Sequence, residues 1–162
     1  SGPLHGGANE EVLSMLEDIG APERARAFLE NKVSRKEKVM GLGHREYKVK
    51  DPRAYILQRL AAQLFDKLGS SRHYDVALAL EKAADDLLGP KGIYPNVDYY
   101  SGIVYDKMGI PRDLFTPIFA VSRVSGWCAH WLEQLRQNRI YRPKQVYTGA
   151  RGRHFVPVNK RG

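Results

Sequence analysis

Residues 51–90 read DPRAYILQRLAAQLFDKLGSSRHYDVALALEKAADDLLGP and contain two segments of helix length, each with a start and a stop signal. Asp51-Pro52 is typical of a helix start, because the carboxylate caps free amides and proline fits the first turn. Gly69 ends that helix, Ser70 or Ser71 starts the next, and Gly89-Pro90 ends it. One face of each segment is apolar at helical spacing. These faces comprise Leu57, Leu60, Ala61, Leu64 and Leu68 in the first helix, and Val76, Leu80, Ala83, Ala84 and Leu87 in the second.

The same signals predict helices through most of the remaining chain. The predicted ranges are 9–19, with Asn9 as the capping residue, 22–33, 97–108 and 112–137. The last helix is apolar on most sides, so we expect it to be buried on most sides. The alternation typical of a strand is limited to Val156 and Val158. The sequence therefore predicts an all-α fold.

Size and composition indicate an ordinary globular protein. The chain has 162 residues, enough for one domain or two small ones. A single cysteine, Cys128, excludes an internal disulfide framework and a zinc site built from several cysteines. No apolar run approaches the roughly 18 residues of a membrane span, and no secretory signal is visible. We expect a cytoplasmic protein that does not bind membranes. Since Ser1 lies within a motif, we also expect a piece of a longer protein.

The net charge of +8 comes from the C-terminal tail. Residues 139–162 contain seven Lys or Arg and no acid, whereas the remaining residues carry 19 cations against 18 anions. A basic tail can contact nucleic acid, an acidic protein surface or solvent. Because no nucleic-acid-binding module accompanies the tail, we expect a protein surface and no nucleic acid.

Two glycine-rich segments each contain a histidine. His5 lies in Gly2-Pro3-Leu4-His5-Gly6-Gly7, just before a predicted helix whose first amides are free to bind a ligand. His44 ends the segment Gly41-Leu42-Gly43-His44. Convergent glycine amides and nearby cations favour an anion at this loop, although a solvated basic loop has the same composition. Neither segment is a P-loop or a dinucleotide fingerprint. The cations that follow His44 are Arg45, Lys48, Lys50 and Arg53.

Asp98 and Arg123 are charged residues in informative places. Asp98 follows Pro95-Asn96-Val97 in the first turn of a predicted helix, where an acid ordinarily interacts with the helix dipole. Arg123 interrupts the apolar helix 112–137, and a buried guanidinium needs an anionic partner. That partner is either an internal acid or a substrate carboxylate.

Together these segments resemble the C-terminal portion of the citrate synthase family, prokaryotic type. The matching residues occur in the family's order and near its spacing, and they extend over essentially the whole chain. In the fold that this resemblance implies, 8–107 form a small α-helical domain on the CoA side. Residues 1–7 and 108–162 then form the C-terminal part of the large domain and a tail exchanged in the dimer. The matching segments are 2–9, 41–44, Asp51-Pro52-Arg53, 95–98, Ser122-Arg123 and Arg142-Pro143.

The resemblance implies condensation of acetyl-CoA with oxaloacetate and water to give citrate and free CoA. Asp98 is then the base that removes a proton from the thioester methyl group, and His5 donates to the forming enol or enolate. His44 polarises and protonates the ketone of oxaloacetate. Proton abstraction beside a carbonyl does need a base at the carbon and a donor at the oxygen.

The resemblance also implies the residues that bind the substrates. Arg53, Arg123 and Arg142 are the expected partners of the two oxaloacetate carboxylates, with Arg142 reaching the site of the other subunit in a homodimer. Neither a metal nor a resident cofactor is expected, since acetyl-CoA is a co-substrate. Because the family's N-terminal portion is missing, we expect the chain alone to be a poor catalyst. The expected CoA-binding residues are Val39, Met40, Gly41, Leu42, Gly43 and Lys48.

Three alternatives remain open at this point. A 2-methylcitrate synthase shares these motifs and uses propionyl-CoA, and one methylene gives only about 1–3 kcal/mol of discrimination in a pocket. A citrate-forming or citrate-cleaving module of a larger enzyme such as ATP-citrate lyase shares the fold. The third alternative is a non-enzymatic helical binding module with a basic tail, which does not explain why the motifs occur in the family's order.

Overall fold

Helices form the regular structure of residues 6–161, the range that the computed structural model describes. His5 lies outside the described residues. Within that range no β-strand occurs, and the one strand-like pairing is an isolated bridge between Leu42 and Pro95. The all-α prediction is confirmed. The helices are α1 Ala8–Ile19, α2 Ala25–Ser34, α3 Pro52–Leu68, α4 Arg72–Leu88, α5 Val97–Lys107 and α6 Phe115–Leu135. Short 3₁₀ turns lie at Pro22–Arg24, Gly89–Lys91, Arg112–Leu114 and Val158–Lys160.

Two predicted helix starts are confirmed and one is wrong. Asp51 Oδ1 accepts the amide of Arg53 at 2.9 Å at the start of α3. Ser71 Oγ accepts an amide at 3.3 Å at the start of α4. Asn9 does not cap α1, which begins one residue earlier at Ala8. The reason is that Gly7 has a left-handed φ of 78° and turns the chain into the helix before Asn9.

The core lies where α1, α4 and α5 meet. Helix α5 packs against both α1 and α3, and α2 packs against α4. The apolar face of α1 is fully buried, as its spacing predicts. Two large aromatic side chains of α5, Tyr99 and Tyr100, are also fully buried. Other fully or almost fully buried residues are Val12, Leu13, Leu16, Ile19, Leu29, Val76, Ala77, Leu80, Ala84 and Ile103.

Helices α1 and α5 approach each other most closely at Gly102. A Cβ atom at Gly102 would lie 2.5 Å from the backbone oxygen of Asn9, so no side chain fits there. Asp98 lies one turn earlier on the same face of α5. The contact therefore places the start of α1 close to the helix turn that carries Asp98.

Helix α3 buries part of the apolar face that its spacing predicts: Leu57, Ala61 and Leu64 lie in or against the core. Leu60 and Leu68 are 47% and 59% exposed, whereas Ala61 and Phe65 are buried. The ring of Phe65 stacks on Tyr74 of α4, with ring centroids 4.3 Å apart. Phe65 is therefore a core residue of α3 that the leucine spacing does not indicate.

Helix α6 contradicts the expectation that it is buried on most sides. Trp127 and Trp131 are 57% and 62% exposed, and the side chain of Arg123 is also exposed. An apolar surface is buried only when another element covers it, and in this chain most of α6 faces solvent. None of the helices in residues 6–161 combines the length and hydropathy needed to cross a membrane.

Internal contacts divide the chain into two units, one up to Val124 and the other from Ser125. In the second unit, the residues after α6 have no regular structure except the turn at Val158–Lys160. The alternation at Val156 and Val158 does not produce a strand, since Val158 begins that turn. The boundary at residue 107 is not tested by this division and stays a prediction.

Candidate active site

The loop that contains His44 is joined to the start of α5 by backbone hydrogen bonds. The amide of Gly43 donates to the carbonyl of Tyr94 at 2.8 Å, and the amide of Asn96 donates to the carbonyl of Gly41 at 2.9 Å. Leu42 and Pro95 form the isolated bridge between these bonds. We call this arrangement the 41–43/94–96 bridge. It brings two motifs together that are about 50 residues apart in the sequence.

The side chain of Asn96 strengthens this bridge from two directions. Its Nδ2 donates to the carbonyl of Gly43 at 2.9 Å. Its Oδ1 accepts the amide of Asp98 at 2.9 Å and so caps α5. One amide group therefore contacts the residue before His44 and the backbone of Asp98. The sequence predicts the cap from an Asn before the helix, but the bond to Gly43 has no local signal.

Replacement of Asn96 separates its two roles. We expect Asn96→Ala to lower the free energy of unfolding by about 0.5–2 kcal/mol, the usual cost of a lost cap. Asn96→Asp keeps the capping oxygen, but it replaces the donor to Gly43 by a carboxylate oxygen that the Gly43 carbonyl repels. Urea unfolding and hydrogen exchange of the Gly43 amide measure the two effects. If Asn96→Asp leaves exchange in the loop as in the wild type, the bond to Gly43 does not order the loop.

His44 is half-buried and its ring orientation is fixed by the residues that follow it. Its Nδ1 atom accepts the amides of Glu46 at 3.1 Å and Tyr47 at 3.3 Å. The imidazole and the Tyr47 ring are tilted by 30° with centroids 4.5 Å apart. A neutral imidazole that accepts at Nδ1 has its proton on Nε2. Such a ring is a hydrogen-bond donor at Nε2, which is the form needed to polarise a carbonyl oxygen.

Asp51 and Arg53 form a fixed pair at the start of α3. Besides capping the helix, Asp51 accepts Arg53 Nε at 3.0 Å and Arg53 Nη2 at 2.7 Å. The Asp51 side chain is 1% exposed, whereas that of Arg53 is 48% exposed. Burial alone raises the pKa of the Asp51 carboxyl, but the bonds from Arg53 outweigh it, and the pKa lies below its usual value. The carboxylate therefore orients a guanidinium that remains accessible to an anion.

Asp98, His44 and the Asp51–Arg53 pair share one electrostatic environment. The hydrogen bond from Arg53 to Asp51 is the largest cause that raises the pKa of Arg53, and the charge of Asp98 contributes in the same direction. His44 lies within electrostatic range of Asp51, since a protonated imidazole at this position would lower the pKa of Asp51. Asp98 is half-buried in the first turn of α5. A carboxylate, a ring that donates and a guanidinium are the chemical groups that a base, a proton donor and an anion-binding site require.

The expected CoA-binding residues lie in the same loop. Val39 and Leu42 point into the core, at 7% and 9% exposure, and Met40 is half-buried. Gly41 and Gly43 both have left-handed φ angles, of 75° and 84°. The loop therefore presents mainly backbone at these positions, while Lys48 is exposed to solvent. In the part of the chain that the structure describes, no group of three or more His, Cys, Asp or Glu side chains is arranged to hold a metal ion.

The remaining predicted site residues are not assembled with this group by the observed contacts. Arg123 lies on α6 and Arg142 lies in the second unit, both with exposed side chains. The expectation that Arg123 is desolvated is wrong for this chain, because α6 is exposed around it. The roles of Arg123, Arg142 and His5 stay predictions.

Comparison by family model, by sequence and by structure finds citrate synthases in each case. The family model described as citrate synthase, C-terminal domain, matches residues 1–144. A citrate synthase from Synechocystis is 58% identical over 161 residues, which are 99% of this chain and 41% of that protein. The crystal structure of citrate synthase from Pyrobaculum aerophilum superposes with a TM-score of 0.84 at 41% identity, covering 99% of this chain and 40% of that one.

A third relative was solved with ligands. It is the citrate synthase of Thermoplasma acidophilum in a ternary complex with carboxymethyl coenzyme A and oxaloacetate, with a TM-score of 0.80 and 42% identity. The match covers 99% of this chain and 43% of that one. The chain thus spans about two-fifths of the length of these relatives. By its family match, its sequence identity and its fold, the chain belongs to the citrate synthase family.

Proposed function

We propose that the chain supplies the His44–Asp98 part of an active site that condenses acetyl-CoA with oxaloacetate and water. The observation that carries the proposal is the 41–43/94–96 bridge, since it joins the two segments on which the predicted base and ketone activator lie. Support also comes from the ternary complex of the Thermoplasma relative, whose ligands are oxaloacetate and a coenzyme A derivative. The carboxylate of Asp98 suits a thioester that must lose a proton, and His44 and Arg53 suit a ketone that carries carboxylates.

In the proposed reaction, Asp98 takes a proton from the methyl group of the thioester while His5 donates to the thioester oxygen. The resulting enol carbon attacks the ketone carbon of oxaloacetate while the enol oxygen returns its proton to His5 and the thioester carbonyl re-forms. His44 gives its Nε2 proton to the ketone oxygen. Water then cleaves the thioester, which releases citrate and CoA. Arg53, held by Asp51, binds one carboxylate of oxaloacetate. Proton transfer by positioned groups typically contributes about 10²–10⁴-fold to the rate.

The rest of the proposal concerns residues and partners that no described contact connects to His44 and Asp98. Arg123 and Arg142 bind oxaloacetate, with Arg142 contributed to the other subunit of a homodimer. The backbone of residues 39–43 and the cation of Lys48 bind CoA. The reaction needs neither a metal nor a resident cofactor, and it takes place in the cytoplasm. The exposed apolar side of α6 is covered by polypeptide equivalent to the part of the relatives that lies outside the match.

A chimera tests the proposal. In it, this chain replaces the matching 41% of the Synechocystis relative, and oxaloacetate-dependent release of free thiol from acetyl-CoA is measured. We expect turnover by the chimera and little by residues 1–162 alone, because an oxaloacetate site and half of the core would be missing. A folded chimera without turnover contradicts the proposal, and robust turnover by the chain alone contradicts the expected dependence on the missing portion. Parallel rates with propionyl-CoA distinguish a 2-methylcitrate synthase.

A further inference from the structure

A buried polar cluster connects the loop that contains His44 to three helices. Lys50 and Glu81 form an ion pair whose side chains are only 10% and 8% exposed. Gln58 accepts Lys50 Nζ at 2.5 Å and donates to Glu81 Oε2 at 2.8 Å. The Tyr100 hydroxyl donates to the same oxygen of Glu81. We call these four residues the Lys50–Glu81 cluster.

Each member of the cluster is held by directional contacts. Burial, and next the negative charge of Glu81, raise the pKa of Tyr100, so its hydroxyl stays protonated and remains a donor. Lys50 Nζ also lies 4.8 Å from the centroid of the Tyr55 ring and 5.8 Å from that of Tyr100. A buried ion pair usually adds little stability over apolar side chains of the same volume, and its best-attested use is to fix one arrangement among several. Stability alone therefore does not account for this cluster.

The members come from four different elements. Lys50 is the last loop residue before Asp51, Gln58 is on α3, Glu81 is on α4 and Tyr100 is on α5. Asp51 is adjacent to Lys50, and Asp98 precedes Tyr100 by two residues. The cluster thus joins the end of the loop that carries the Asp51–Arg53 pair to the helix that carries Asp98.

The loop is consequently fixed at two points. The 41–43/94–96 bridge holds it before His44, and the Lys50–Glu81 cluster holds it before Asp51. Residues 45–49 between these points are exposed. Two of those residues, Glu46 and Tyr47, donate the amides that orient the His44 ring. The orientation of His44 and Arg53 therefore depends on the second point as well as on the first.

We propose that Lys50 is a positioning residue, which through its buried bonds to Glu81 and Gln58 holds the 44–53 segment in the arrangement that binds oxaloacetate. The ligand part of this inference rests on the proposed function. Lys50 itself does not touch the reacting atoms. It acts through His44 and Arg53, and its loss releases the end of the loop.

The purified 162-residue chain allows a direct test by NMR. In Lys50→Met we expect amide hydrogen exchange of Glu46 and Tyr47 to become about tenfold faster, because the loop opens locally at lower cost. Oxaloacetate binding is tested in the chimera, because the chain alone does not hold the whole oxaloacetate site. There Lys50→Met should raise the KM for oxaloacetate about tenfold.

Two further variants separate positioning from stability. The double variant Lys50→Met/Glu81→Met leaves no unpaired buried charge, so it should regain the wild-type urea midpoint while exchange in the loop stays fast. Lys107→Met is the matched control, because Lys107 of α5 also contacts α3: it donates to the Leu68 carbonyl at 3.1 Å and lies over the Phe65 ring. It should lower stability without affecting Glu46 or Tyr47.

The inference is overturned if the loop amides of the double variant exchange as in the wild type, or if Lys107→Met accelerates them equally. A wild-type chimera that folds but shows no oxaloacetate-dependent turnover counts against the proposed function instead. In that case the exchange rates still decide whether Lys50 positions the loop.

Discussion

Replacement of Asp98 by Asn is expected to lower the turnover of the chimera by roughly 10²–10⁴-fold, the usual contribution of a positioned base. Asparagine has almost the same shape, and the backbone amide at residue 98 still donates to Asn96. What is lost is the ability to accept the methyl proton of acetyl-CoA. Measurement of kcat and KM with acetyl-CoA should show the loss in kcat.

A purely structural role for Asp98 gives a different result. An acid in the first turn of a helix contributes only about 0.3–1 kcal/mol to stability through the helix dipole. The matched control is Asp106→Asn, near the other end of the same helix, where the carboxylate lies 3.5 Å from Nδ1 of His73. Full kcat in Asp98→Asn, or equal losses in both variants, would show that Asp98 is not the base.

Replacement of Gly41 by Ala is expected to destabilise the chain by about 2–5 kcal/mol. A Cβ atom there would lie 2.8 Å from Val12 Cγ2 and 2.9 Å from Tyr99 Cδ2, and both side chains are fully buried. Crowding of a packed core costs about 1–3 kcal/mol. The left-handed φ of 75° adds about 1–2 kcal/mol for any residue with a Cβ.

Gly109→Ala is the control that isolates the crowding at Gly41. Gly109 has a similar φ of 74°, but a Cβ atom added there would meet no other atom within 4 Å. It should therefore show only the backbone penalty of about 1–2 kcal/mol. Urea unfolding of the two purified variants gives the comparison, and equal losses in both would mean that Val12 and Tyr99 move aside at little cost.

Helix positions could be predicted because their signals are local. Asp51, Ser71 and the glycine and proline pairs act on their immediate neighbours, so the six helices occur close to the predicted ranges. Which face of a helix is buried depends on what packs against it. Leu60 on α3 and Trp127 on α6 are exposed for that reason, although their spacing alone resembles that of core residues.

The site shows the same division between local and distant information. Family motifs suggested His44 and Asp98, and the bridge that brings their segments together agrees with that choice without testing their roles. The bond from Asn96 to Gly43 spans 53 residues, and Glu81 is 31 residues from Lys50. Such pairs follow from the packing of helices, and nothing in the neighbouring sequence distinguishes Glu81 from an exposed acid. Charged side chains are seldom fully buried, so the sequence alone would predict an exposed Glu81.

Because α6 is exposed, the intrinsic tryptophan fluorescence of the protein reports on whether this helix is covered. Its only two tryptophans, Trp127 and Trp131, both lie on that helix with more than half of each residue's surface in water. Indole emission moves to shorter wavelengths when water is excluded. Intrinsic fluorescence therefore follows the covering of α6 by any added polypeptide in real time, with no label and no second chromophore of the same kind elsewhere in the chain.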